Sequence, residues 1–158
     1  MMAQPAAAHN LSHAGTAAAP AAPVGRRRTP GAWRDNACAT AAPVTAIVAY
    51  DPAFHEHLPA QYPANPAARD MFAGNAALAL DTATRNGTLQ GAYLILAARA
   101  LGLDTGPMSG FNAALLNEAF FADGRWRANF LVNLGWGDAA GVRPRGPRLA
   151  FGEVARIE

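Results

Sequence analysis

Apolar positions are spread unevenly along the chain. Before position 43 they are mostly alanine with no helical or strand period, and after it they fall into runs that a fold can use. Pro43-Val44-Thr45-Ala46-Ile47-Val48-Ala49-Tyr50 is continuous, apolar and β-branched, and Asp51-Pro52 closes it. That run predicts a buried strand near the centre of a sheet. Residues 54 to 70 are polar with prolines at 59, 63 and 66, which reads as a surface loop or a short helical turn. From about 71 to 101 the pattern is helical, as two segments meeting near Asn86-Gly87. In the second segment Leu89, Ala92, Tyr93, Leu96 and Ala100 share one face, and Leu94, Ala97, Ala98 and Leu101 the next. Apolar positions on most of the circumference predict a buried helix.

Gly102 supplies a left-handed cap and Leu103 the apolar residue that packs back on the last turn. Further on, Asn112 is a suitable N-cap for a short helix with Leu115, Leu116, Ala119 and Phe120 facing inward, ended by Asp123-Gly124. Residues 130 to 135 read as a second strand, and Trp136-Gly137-Asp138 turns the chain out of it. Between these elements Gly102, Gly106, Pro107 and Gly110 crowd one stretch, where the backbone must take positive φ or approach something closely. A ligand-facing turn and a plain helix cap followed by a turn both satisfy that. The four-residue spacing of the glycines, after a helix and not a strand, argues against a dinucleotide-binding G-x-G-x-x-G loop.

Composition narrows the chemistry. With 158 residues, 51% of them hydrophobic, the chain has room for one folded domain, read here as 43–158 behind a low-complexity, disordered arm at 1–42. All 13 basic residues are arginine, so a Walker A lysine and a Schiff-base lysine are excluded. A net charge of +2 in short clusters argues against nucleic acid and for a small-molecule partner. Cys38 is the sole cysteine, which excludes an intrachain disulfide and a cysteine zinc cluster. No apolar run spans a bilayer, so the expectation is a cytoplasmic chain without membrane attachment. His55 and His57 flank Glu56 but stand two apart, and a solvated loop is favoured over a metal site. The sequon at Asn86-Gly87-Thr88 reads as chance. In residues 141 to 148, Arg143, Arg145 and Arg148 alternate with Pro and Gly, as an anion-binding tail or a solvated loop.

Four stretches carry a resemblance that periodicity does not supply: residues 42–51, Gln90-Gly91-Ala92-Tyr93-Leu94-Ile95, residues 101–111, and Asn133-Leu134-Gly135-Trp136-Gly137-Asp138. Together they resemble the nitroreductase superfamily, most nearly its malonic semialdehyde reductase branch in the uracil-degradation (Rut) pathway. The resemblance implies an α+β fold, a mixed sheet flanked by helices, here N-terminally incomplete, with FMN bound at the interface of a homodimer. It places Pro107, Met108, Ser109 and Gly110 against the flavin ring and Arg143 and Arg145 on the FMN phosphate, where forked guanidinium groups suit the anion. NADH or NADPH would give a hydride to the flavin, and a small aldehyde such as malonic semialdehyde, a quinone or a nitro compound would take it. No side chain need act as a nucleophile.

The family's Pro-Thr-Ser-x-Asn segment has no counterpart here. Residues 1 to about 40 are accordingly expected to be a shifted reading frame, a wrong start or the scar of a deletion. The competing expectation is a cofactor-free remnant of the same fold without its own activity, either an inert product or a subunit that pairs with a complete homologue.

Overall fold

The computed structural model describes residues 42–142 and 144–158. The arm read at 1–42, apart from its last residue, lies outside the described residues, as do Cys38 and Arg143. Three strands form one antiparallel sheet: β1 (Val44–Tyr50), β2 (Asp104–Met108) and β3 (Arg127–Gly135), in the order β1-β3-β2. Val44 pairs with Leu134 and Ile47 with Leu131, with a register shift between Val48 and Ala49, while Asp104 pairs with Gly135 and Met108 with Leu131.

Two expectations about the strands change. The run at 44–50 is a strand, but in the described sheet it lies at an edge, and β3 takes the centre with Leu131, Val132 and Asn133 buried. Residue type shows that a strand is apolar, whereas its neighbours depend on which segments pair. The glycine-rich stretch is also more regular than its composition suggests, since five of its residues pair with β3 as β2. Of its glycines only Gly102 is left-handed, at φ +80. There the helix ends as read, with Gly102 N donating to Arg99 O and Leu103 N to Ala98 O, both at 3.0 Å.

The helices are α1 (Leu58–Gln61), α2 (Ala67–Ala73), α3 (Ala76–Ala100), α4 (Ala113–Phe120) and α5 (Phe151–Val154), with 3₁₀ turns at Phe54–His57 and Ala139–Gly141. The helical break falls at Gly74 and Asn75 instead of Asn86-Gly87. Asn75 caps α3 by accepting from Leu78 N at 3.0 Å, while the Asn86 side chain donates to Thr82 O and Gly87 is buried mid-helix. A mid-helix glycine costs only about 1 kcal/mol, which close packing can offset.

That packing corrects the idea of a helix buried on all sides. The covered side of α3 is a stripe of small residues, Ala79, Ala83, Gly87, Gly91 and Ala98. At Gly91 the helix backbone approaches Phe130 of β3 and Val48 of β1. Three larger residues point away: Leu89 is 54%, Tyr93 67% and Leu96 64% exposed, while Leu94 and Ile95 are half-buried.

Residues 54–70 are short helical turns as one reading had it, yet they carry core. Phe54, Leu58, Ala68 and Phe72 pack with Ala79 and Ala83 of α3, the two phenylalanine rings meeting edge-on at 5.0 Å. On the other side of the sheet Leu116 and Leu131 are buried together against Ile47, Met108, Phe111, Phe121 and Ala128. Asn112 caps α4 as expected, but of the four residues assigned inward only Leu116 is buried. Among the described residues no helix is long and apolar enough to cross a membrane.

Candidate functional site

The end of α3, the whole of β2 and the start of α4 form a single connected path, and both ends of β2 are held in place. At the Met108 end, Met108 joins the apolar layer under α4, and Phe111 N donates to Ser109 O at 2.9 Å. The Asn112 side chain then accepts from Leu115 N at 3.1 Å, so helix α4 starts at once. Between these fixed points Ser109 and Gly110 are exposed, and a Cβ placed on Gly110 would meet nothing within 4 Å. Ser109 and Gly110 thus present open backbone beside the apolar Met108 and Phe111.

At the other end Asp104 gathers three segments. Its Oδ2 accepts from Gly137 N at 2.7 Å, and its Oδ1 pairs with Arg99, which also donates to Leu103 O at 3.0 Å. The Gly137 amide and the Arg99 guanidinium hold the Asp104 carboxyl below the usual aspartate range. Asp138 then caps the turn Ala139–Gly141 by accepting from Ala140 N at 2.9 Å. Arg145 and Arg148 follow on an exposed segment, where Arg148 donates to the carbonyls of Gly146 and Pro147. Arg143 lies outside the described residues. Residues 107–110 therefore stand at one end of β2, and the arginine segment departs from the other, about 13 Å away along the strand.

A second polar cluster was invisible in the sequence. Arg125, in the bend before β3, donates through Nε to Asp51 Oδ2 at 2.7 Å, through Nη1 to Glu56 Oε2 at 2.5 Å and through Nη2 to Ala53 O at 3.3 Å, with His57 Nε2 3.2 Å from its Nη2. Asp51 is only 2% exposed and also accepts from Ala53 N at 2.8 Å. The Asp51-Pro52 pair marked only a strand end, and nothing in its spacing pointed to an arginine 74 positions on. The cation beside Glu56 and His57 is thus a guanidinium. Among the described residues no three His, Cys, Asp or Glu side chains are grouped to hold a metal.

The Arg125 hydrogen bond, and next its charge, hold the Glu56 carboxyl below the usual glutamate range. A depressed carboxylate stabilises the fold fully above its unfolded pKa of about 4.3 and loses that contribution as pH falls through the lower folded value. The stability difference between wild type and Glu56→Gln is therefore expected to stay constant at neutral pH and to shrink below about pH 4. Urea titrations at stepped pH would read it, and a difference unchanged down to the acid transition would contradict it.

The nitroreductase family profile matches residues 7–136, beginning inside the stretch read as a low-complexity arm. A Burkholderia lata protein named "Putative NADH dehydrogenase/NAD(P)H nitroreductase" is 64% identical over 118 residues, covering 75% of this chain and 60% of that protein. A Rhodopseudomonas palustris protein of the same name is 58% identical over 120 residues, covering 74% and 59%. The chain thus spans about three fifths of the length of the curated relatives it matches. Among solved structures, a Bacillus subtilis "putative nitroreductase" has a TM-score of 0.65 at 20% identity, over 77% of this chain and 67% of that one. A "putative nitroreductase in complex with FMN" from Exiguobacterium sibiricum has a TM-score of 0.64 at 23% identity, over 74% and 63%. At such identities these two speak for the fold, which is nitroreductase-like and α+β. With a family profile running through most of its length and relatives near 60% identity, the chain belongs to the nitroreductase family.

Proposed function

We propose that the chain acts in an FMN-dependent NAD(P)H oxidoreductase that passes a hydride to a small aldehyde, malonic semialdehyde in the first instance, or to a nitro or quinone compound. The observation that carries this reading is the open, exposed backbone at Ser109 and Gly110, set between β2 and α4 and flanked by Met108 and Phe111. A flat, largely apolar ring with polar edges fits there, because no side chain on Gly110 stands between it and the amides. Arg145, exposed on a segment stiffened by Pro144 and Pro147, fits a phosphate, and Arg143 beside it in sequence has the same chemistry. FMN bound here would supply two-electron chemistry, taking a hydride from NADH or NADPH and giving it up again.

The chain's own residues would bind and orient. The amides of Ser109 and Gly110 would address the ring edge, Met108 and Phe111 would keep water from one side, and the arginines would hold the phosphate. A homodimer fits the exposed Leu89, Tyr93 and Leu96, which repeat along one side of α3 and leave an apolar strip for a second copy to cover. The relatives' printed names support the nicotinamide donor, and the FMN complex of a fold neighbour supports the flavin.

Purified full-length chain titrated with FMN is the test. Quenching of flavin fluorescence, then NADH or NADPH oxidation with malonic semialdehyde and with a nitroaromatic, is the expected result. Arg145→Ala should weaken FMN about tenfold, the size of one charge-assisted hydrogen bond. A preparation that retains no flavin once unbound FMN is removed overturns the proposal, and turnover of nitroaromatics alone removes the aldehyde.

A further inference from the structure

Asp104 is half-exposed, and an exposed ion pair with Arg99 by itself would matter little. Its second bond is of a different kind. Oδ2 accepts from the main-chain amide of Gly137, two residues beyond the last residue of β3, and so ties the chain's exit from the sheet to the first residue of β2. The fit is close: a Cβ on Gly137 would stand 3.1 Å from Asp104 Oδ2. Arg99, in the last turn of α3, braces the same carboxylate while bonding Leu103 O, so the anchor is fixed to helix and strand together.

From Gly137 the order continues without a gap. Asp138 Oδ1 accepts from Ala140 N, Gly141 N donates to Asp138 O at 3.0 Å, and Val142 N donates to Ala139 O at 3.3 Å. The next residue in sequence is Arg143, followed by Pro144, Arg145, Gly146 and Pro147. A hydrogen-bonded connector and a proline-stiffened segment keep whatever direction their origin imposes.

We infer that Asp104 is a positioning residue for phosphate binding: by latching the Gly137 amide it sets the direction in which the chain leaves the sheet toward the exposed Arg145. This rests on the FMN reading above. Asp104 acts through the arginines and does not itself meet the anion, which its negative charge would repel.

The test compares full-length wild type, Asp104→Ala and Asp104→Asn by FMN titration and by backbone hydrogen exchange. Asp104→Ala is expected to weaken FMN about tenfold and to speed exchange from Gly137 to Val142, with α3 and β3 unchanged. Asp104→Asn keeps a carbonyl acceptor for Gly137 N, so it should stay within about threefold of wild type. Unchanged FMN affinity in Asp104→Ala overturns the inference. So does faster exchange throughout the sheet, which would mark a purely structural role, and so does Asp104→Asn as weak as Asp104→Ala. A wild-type chain that takes up no FMN overturns the proposed function and this inference with it, a result distinct from wild-type uptake that Asp104→Ala leaves alone.

Discussion

Arg125→Leu is expected to lower the unfolding free energy by about 3 kcal/mol, because it strands a buried carboxylate. Asp51 is almost wholly enclosed, and Arg125 is its ion-pair partner, at 2.6 and 2.7 Å through two nitrogens. Removing one member of a buried pair costs about 3–5 kcal/mol, since the remaining charge has lost water without a substitute. The lower end applies here, because Ala53 N still donates to Asp51. The same change frees Glu56 and Ala53 O, so the link between the end of β1 and the bend before β3 goes as well. Urea unfolding of the single variant and of Asp51→Asn with Arg125→Leu would check it. The double variant removes the stranded charge yet keeps an acceptor for Ala53 N, and should regain about 1–2 kcal/mol. A single variant within about 1 kcal/mol of wild type would show the pair to be incidental.

Gly91→Val should cost about 1–2 kcal/mol, by overpacking instead of by charge. A Cβ at position 91 would lie 2.3 Å from Phe130 Cζ and 3.0 Å from Val48 Cγ1, well inside contact distance. The Phe130 ring could swing, but Val48 is buried and closes the other side. Replacing glycine in a helix ordinarily gains up to about 1 kcal/mol, and here the gain is smaller because valine is β-branched. Overpacking at about 1–3 kcal/mol therefore wins, and α3 must lift from the sheet or the sheet must bend. The comparison is Gly141→Ala, where nothing stands within 4 Å and stability should move by less than about 0.5 kcal/mol. Thermal melts of both would decide, and a Gly91→Val variant as stable as Gly141→Ala would refute the close approach.

How much of this could be read beforehand depends on how far apart the participants lie. The Schellman end at Gly102 and the cap at Asn112 were legible because donor, acceptor and special φ sit within six positions. Asn75 offers the same kind of signal, but Asn86-Gly87 gives a stronger one, since a glycine inside a helix looks like a break until its packing is known. In the candidate site, Pro107, Met108, Ser109 and Gly110 were legible only through resemblance. Spacing left them as a turn, and the structure makes the first two part of a paired strand. Arg125 and the latch at Asp104 were not legible at all. Each joins residues 33 to 74 positions apart, and no local pattern marks an arginine or an aspartate for a distant partner.

By itself the sequence determined which segments are apolar, where several elements start and stop, which cofactor-lysine chemistries are absent and, through four quoted stretches, the family resemblance. Those properties reside in neighbouring residues or in residue identity, so order along the chain is enough to express them. The tertiary structure alone decided that β3 and not β1 lies in the middle of the described sheet, and that α3 packs through small residues with Leu89, Tyr93 and Leu96 outward. It alone decided that one carboxylate at Asp104 joins the glycine-rich stretch to the exit toward the arginines. These follow from which surfaces of the folded chain approach closely enough to exclude water and share hydrogen bonds, a condition set by all the elements together.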